Sequence, residues 1–225
     1  AESRGLGDVY KRQVAELTGI DTISENLYKY GFGQKTYLDL YNESSGLIPD
    51  RDWKYKIKQE PWYPGETLNV GIGQGYFLAT PMQLTLATSS LATAGSTFVP
   101  HLLLQTIDTK TGDTLPYEYK KNKFTTPYPD ANKLDIVHHA MWRVTNENGV
   151  GTASNMKRVK GLEFAGKTGT AQVYSLDAGK SDKKKLQDHA LFISYAPFDK
   201  PEIVVTVIIE HGGSGSTAAA PIARN

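Results

Sequence analysis

Three extended runs near the end of the sequence constrain the fold more than any other feature. Residues 162–174 read as an extended segment, and residues 190–196 and 203–209 are rich in apolar, β-branched and aromatic side chains. A long polar loop and a short proline-bounded turn join the three runs, which predicts an antiparallel meander. The part of the chain before them is richer in helical patterns. This order indicates an α+β fold, an antiparallel sheet with helices packed on it.

Helical spacing recurs in three places upstream of the meander. Apolar side chains at helical intervals predict one helix over residues 14–30 and another over residues 130–145. Thr80 as the N-cap, with a proline next and Gln83 three positions after the cap, predicts a third helix that starts there. Residues 34–66 are punctuated by glycine and proline, so we expect them to be irregular.

Composition excludes several classes of function. The formal net charge is +1, which gives no reason to expect a nucleic-acid partner or an anionic membrane surface. There is no cysteine, so disulfides and thiolate chemistry are excluded. The five histidines have no ligand-like spacing, and we expect neither a bound metal nor a cofactor.

The first residues look foreign to the rest of the chain. Residues 3–13 have neither helical nor strand periodicity and resemble a translated sequencing adaptor. An ordinary mobile N-terminus is the alternative. We therefore treat residues 1–13 as non-native and residues 14–225 as the protein proper.

The first of the extended runs carries a chemically distinctive tetrapeptide. In a strand, Lys167 and Gly169 share one face, and Thr168 and Thr170 share the other. A glycine inside a strand often marks the close approach of a ligand or another backbone. An ammonium, two hydroxyls and an open backbone edge suit an extended peptide that ends in a carboxylate. The alternative is a solvated strand that happens to contain lysine and threonine.

Other segments accompany this strand in a fixed order and carry a family resemblance. They are Pro61-Trp62-Tyr63-Pro64-Gly65, Gly71-Ile72-Gly73-Gln74-Gly75, Thr80-Pro81-Met82-Gln83, Val99-Pro100-His101-Leu102-Leu103, Asp188-His189-Ala190 and Glu210-His211-Gly212-Gly213. Together with the Lys-Thr-Gly strand, they resemble the C-terminal part of the transpeptidase domain of class B penicillin-binding proteins, in particular the elongation subgroup. The resemblance implies the penicillin-binding/β-lactamase-like fold.

The Ser-x-x-Lys nucleophile motif of that family is not found in a matching position. The two matches begin at Ser154 and Ser181; one lies just before Lys167 and the other follows it in a polar loop. The family places its nucleophile far upstream of the Lys-Thr-Gly strand. We therefore interpret both matches as coincidental, and the chain as a fragment without its own nucleophile.

The resemblance implies a serine acyl-enzyme mechanism in the intact protein, a peptidoglycan D,D-transpeptidase that cross-links stem peptides during cell-wall elongation. Lys167 would supply positive charge beside the nucleophile, and the Thr170 N–H would be half of the oxyanion hole. Thr168, Gly169 and Thr170 would bind the substrate, with both hydroxyls on its carboxylate. A serine β-lactamase or a non-catalytic penicillin-sensing domain is the alternative.

The same resemblance implies partners and a location. The partners would be peptidoglycan stem peptides, lipid-linked precursor strands, β-lactams and a membrane glycosyltransferase of the elongation machinery. The protein would lie on the periplasmic side of the bacterial inner membrane, held by an N-terminal transmembrane helix that this chain does not contain.

Overall fold

The computed structural model describes residues 2–118, 131–156, 161–172 and 187–225. In chain order the helices are α1 (Glu2–Thr18), α2 (Ile20–Lys29), α3 (Arg51–Lys58), α4 (Pro64–Val70), α5 (Pro81–Ala92), α6 (Ala131–Asn146) and α7 (Ala220–Arg224), and a π-helical turn, Gly215–Ala219, leads into α7. The strands are β1 (Gln105–Ile107), β2 (Thr114–Pro116), β3 (Ala165–Ala171), β4 (His189–Ala196) and β5 (Ile203–Ile209).

The predicted meander is confirmed. β3, β4 and β5 pair in that order, both pairs antiparallel, with Lys167 opposite Ile193 and Ile193 opposite Thr206. β1 and β2 form a separate two-stranded hairpin. Helices followed by an antiparallel sheet make the α+β class predicted from the sequence.

Helices cover both faces of the three-stranded sheet. On one face, Ala165 and Tyr195 pack in a buried cluster with Ala92 of α5 and Met141 of α6. On the other face, Phe192 packs in a second buried cluster, together with Ala153, Ala190, Ala219 and Ala220. Residues opposite each other in an antiparallel pair share a face, so the side chain of Thr168 lies on the same face as that of Phe192. The sheet is thus the middle layer of a three-layer arrangement.

Residues 34–66 are not irregular throughout, which corrects the sequence prediction. The Asp50 carboxylate accepts a hydrogen bond from the Trp53 N–H at 2.6 Å and caps the start of α3. Glu66 accepts from the Tyr63 N–H at 2.8 Å at the start of α4. The same Glu66 carboxylate also pairs with the buried ammonium of Lys54 at 2.5 Å, which links the two helices. Polar caps and this ion pair hold both short helices, and neither helix is long enough to give a clear apolar periodicity in the sequence.

The first residues form a helix, which the lack of helical periodicity over residues 3–13 did not indicate. α1 begins at Glu2, and its C-terminal half packs against the end of α4. A Cβ atom on Gly71 would lie 2.2 Å from the Ala15 Cβ, so only a glycine allows this approach. The foreign origin of residues 1–13 stays a prediction, since a helix is compatible with either origin.

The predicted start of α5 is confirmed, and its Gln83 has a further role. The Thr80 hydroxyl accepts from the Gln83 N–H at 3.2 Å, and the Gln83 side-chain oxygen accepts from the Thr80 N–H at 2.9 Å. The Gln83 amide nitrogen also donates to the carbonyls of Gln34 and Ser45, each at 2.7 Å. Gln83 is 1% exposed, so one buried side chain caps the helix and holds the 34–46 segment against it.

Candidate functional site

β3 lies at one edge of the three-stranded sheet and presents the Lys-Thr-Gly-Thr tetrapeptide there. The Thr168 carbonyl accepts from the Lys167 ammonium at 2.7 Å, which places this carbonyl on the side of β3 away from β4. Every second residue of an antiparallel strand points its N–H and C=O to the same side. The N–H of Thr170 therefore points to the same open edge, on which the Lys167 ammonium also lies.

The Lys167 side chain bends over this edge toward Thr168. Its Nζ lies 3.3 Å from the Thr168 hydroxyl, in addition to the carbonyl contact. The pKa of Lys167 lies below its ordinary value, chiefly because the surrounding protein removes hydration from the ammonium. The positive charge of Lys11 lowers this pKa further, and the negative charge of Asp8 opposes the shift. The first turns of α1 thus contribute to the electrostatics of the site.

Removing the charge of Lys11 is expected to raise the pKa of Lys167. A nearby cation disfavours the protonated lysine, so Lys11→Met relieves a repulsion and protonation of Lys167 persists to higher pH. Asp8→Asn removes an attraction and should lower the same pKa. Titration of ¹³C-methylated lysines by NMR, with the Lys167 signal assigned by Lys167→Arg, measures both shifts. Equal Lys167 pKa values in all three chains would show that α1 does not lie against the site.

The glycines in and next to β3 differ in how much space a Cβ atom would have. A Cβ on Gly166 would lie 2.5 Å from the Phe192 ring, and one on Gly215 would lie 2.3 Å from the Leu191 carbonyl oxygen and 2.7 Å from that of Gly169. Both positions are therefore closed by the protein itself. A Cβ on Gly169 would meet only the Leu191 Cβ, at 3.3 Å. The space above Gly169 is thus comparatively open and available to a ligand.

A turn after α6 reaches the same strand. The Thr152 hydroxyl lies 3.1 Å from that of Thr168. Of the two Ser-x-x-Lys matches, the first begins in this turn: Ser154 is 6% exposed and its hydroxyl donates to the Gly151 carbonyl at 2.8 Å. A buried hydroxyl bound to a carbonyl is poorly placed to attack a substrate. The second match, at Ser181, lies outside the described residues.

The structure thus brings together all four residues predicted from the sequence, and two more that sequence reasoning missed. Thr152 and Gly215 approach β3 from distant parts of the chain. The signals available were a Gly-Thr-Ala turn after a helix and a glycine-rich segment, 212–215, after the last strand. Neither signal alone indicates which strand is approached.

The described residues contain neither a metal-binding cluster nor a helix that could span a membrane. In that part of the chain, no three histidine, cysteine, aspartate or glutamate side chains are grouped so that they could hold a metal ion. Nor does any helix there combine the length and the apolar character that crossing a bilayer requires.

The chain is similar to known proteins along most of its length. The family described as "Penicillin binding protein transpeptidase domain" matches residues 7–225. The peptidoglycan D,D-transpeptidase MrdA of Haemophilus influenzae is 41% identical over 228 residues, which cover 96% of this chain and 34% of that protein.

Two solved structures are similar as well. The crystal structure of Pseudomonas aeruginosa PBP2 in complex with WCK 5153 has a TM-score of 0.76 at 38% identity, over 96% of this chain and 44% of that one. The complex of Helicobacter pylori PBP2 with MreC also has a TM-score of 0.76, at 33% identity, over 96% of this chain and 37% of that one.

The chain spans about one third of the length of the curated relatives it matches. The similar part includes β3 and both helical layers around it, because the family match runs from residue 7 to the last residue. The fold prediction and the predicted family are therefore confirmed. The chain belongs to the family of penicillin-binding protein transpeptidase domains.

Proposed function

We propose that the longer protein containing this chain is a peptidoglycan D,D-transpeptidase that acts through a serine acyl-enzyme during cell-wall elongation. The observation that carries the proposal is the open edge of β3, where an ammonium, a hydroxyl and a backbone N–H meet beside Gly169, at which a Cβ atom would contact only the Leu191 Cβ. The relatives named D,D-transpeptidases favour this function over a β-lactamase or a penicillin sensor.

Each residue of the tetrapeptide has a proposed role at this edge. The Lys167 ammonium supplies positive charge beside the nucleophile and the substrate. The hydroxyls of Thr168 and Thr170 bind the terminal carboxylate of the acyl donor, since hydrogen bonds to a charged acceptor are stronger than neutral ones. The Thr170 N–H contributes to the oxyanion hole, where one donor typically lowers the barrier by about 3 kcal/mol. Gly169 lets the substrate backbone approach.

The proposed reaction has two steps, acylation of the serine and transfer of the acyl group. The serine oxygen attacks the penultimate D-Ala carbonyl of a stem pentapeptide; an ester bond forms, the D-Ala–D-Ala peptide bond breaks, and the serine proton passes to the departing D-Ala amine. The amine of a neighbouring stem then attacks the ester carbonyl: a new peptide bond forms, the ester C–O bond breaks, and a proton from the amine passes to the serine oxygen. β-Lactams would acylate the same serine.

The proposal includes a location and partners. The intact protein would lie on the periplasmic side of the inner membrane, anchored by a transmembrane helix upstream of this chain. It would act on lipid-linked precursor strands beside a membrane glycosyltransferase of the elongation machinery. The similar PBP2 in complex with MreC supports an assembly of this general kind.

Labelling with a fluorescent penicillin tests the proposal. We expect the full-length protein to be labelled on a serine outside residues 1–225, because Ser154 is buried and hydrogen-bonded. The 225-residue chain alone should remain unlabelled. Mass spectrometry of the acylated peptide identifies the serine, and the full-length protein should also release D-Ala from a stem pentapeptide. An acyl group on Ser154, or labelling of the chain alone that Ser154→Ala abolishes, would contradict the assignment.

A further inference from the structure

The turn after α6 places the Thr152 hydroxyl against Thr168, the proposed carboxylate-binding residue, and both neighbours of Thr152 are anchored by packing or hydrogen bonds. A Cβ on Gly151 would lie 2.2 Å from the Arg143 carbonyl oxygen, so the turn is pressed against the end of α6. The Ala153 N–H donates to the Val144 carbonyl at 3.0 Å, and Ala153 itself is 2% exposed in the cluster around Phe192. Thr152 lies between these two anchored neighbours.

Whether Thr168 has a proton left for a carboxylate depends on which of the two hydroxyls donates in its contact with Thr152. A threonine hydroxyl has one proton to donate and two lone pairs that accept. The Lys167 ammonium can only donate, so it occupies one lone pair of the Thr168 oxygen at 3.3 Å. If Thr168 donated to Thr152, no proton would be left for a carboxylate. If Thr152 donates to Thr168, the second lone pair is filled and the Thr168 proton points outward.

We propose that Thr152 is a positioning residue that donates to the Thr168 hydroxyl and thereby directs the Thr168 proton toward the carboxylate of the acyl donor. A carboxylate is acceptor-only, so its binding at Thr168 requires this direction of donation. Donation into the Thr168 oxygen from Lys167 and Thr152 also polarises that hydroxyl and strengthens the bond that it gives. The inference rests on the proposed function, because it presumes that Thr168 binds a carboxylate.

Two acyl donors separate this role from a structural one. In the full-length protein, Thr152→Val should slow acylation by benzylpenicillin by about three- to tenfold, the range expected for one net hydrogen bond. Acylation by benzylpenicillin methyl ester, which has no carboxylate, should be unchanged. Thr152→Ser keeps the hydroxyl and should restore the ratio of the two rates. Thr152→Ala gives a smaller replacement should valine disturb the turn.

The matched control removes another threonine–threonine hydrogen bond. The Thr85 hydroxyl lies 2.9 Å from that of Thr206, two strands away from β3, and Thr85→Val should leave both acylation rates unchanged. Equal slowing of both donors by Thr152→Val and Thr152→Ala would assign Thr152 a structural role and overturn the inference. The inference would also be overturned if Thr152→Val left both acylation rates unchanged while Thr168→Val slowed acylation by benzylpenicillin. Unchanged benzylpenicillin rates in Thr168→Val would instead overturn the proposed role of Thr168, and this inference with it.

Discussion

Replacing Thr170 by proline in the full-length protein is expected to slow acylation by a penicillin by about 10²–10³-fold. Proline has no N–H, and loss of one oxyanion donor typically has an effect of this size. The fold should persist, because the Thr170 N–H points to the open edge of β3, and proline is tolerated at such strand positions.

The comparison with Thr170→Ala isolates the N–H from the side chain. Alanine keeps the N–H and removes only the hydroxyl, so its acylation should be affected far less than that of the proline variant. Second-order acylation rates, measured together with circular dichroism, distinguish a lost donor from a lost fold. If both variants acylated at the same rate with native spectra, the Thr170 N–H would not belong to the oxyanion hole.

Gln83→Leu is expected to lower the free energy of unfolding by at least about 3 kcal/mol. Leucine fills a similar volume but leaves the carbonyls of Gln34 and Ser45 and the N–H of Thr80 without this partner. Each buried polar group that loses its hydrogen bond costs about 1–3 kcal/mol. The effect is large because Gln83 caps α5 and binds the 34–46 segment at once.

Urea denaturation of the full-length protein measures this loss, with Gln105→Ala as the control. Gln105 lies on the exposed strand β1, where a substitution should change the free energy of unfolding by no more than about 0.5 kcal/mol. Equal midpoints for the two variants would show that water replaces the Gln83 hydrogen bonds without loss. The bonds to Gln34 and Ser45 would then contribute little to stability.

The sequence predicted the elements whose signals are local. β4 and β5 are long apolar runs between turns, and the start of α5 carries a complete capping box, so both were found nearly to the residue. α3 and α4 were missed because their stability depends on contacts between them, such as the Lys54–Glu66 ion pair. Proline and glycine in residues 34–66 suggested irregular chain, although Pro64 starts a helix.

The residues of the candidate site also divide into those that a local sequence pattern indicates and those that only the fold brings near. The tetrapeptide at residues 167–170 is contiguous, so its place on a strand could be predicted from sequence, and β3 confirms that place. Thr152 is 16 residues from Thr168 along the chain, and no local pattern in the sequence indicates that their hydroxyls meet. The fold alone determines that the two hydroxyls meet, as it determines that α1 brings Lys11 near Lys167.

Because Gly215 contacts the backbone of β3, a substitution at Gly215 is expected to alter the candidate site although this residue lies outside the tetrapeptide. Gly215 sits directly on the backbone of Gly169 and Leu191, where a Cβ atom would lie 2.7 Å from the Gly169 carbonyl oxygen and 2.3 Å from that of Leu191. A larger residue there, or a repacked α7 behind it, must displace the strand that carries the Lys-Thr-Gly-Thr tetrapeptide. Substitutions in the π-helical turn and in α7 are therefore expected to shift the strand that carries the candidate site, although these residues lie outside the tetrapeptide.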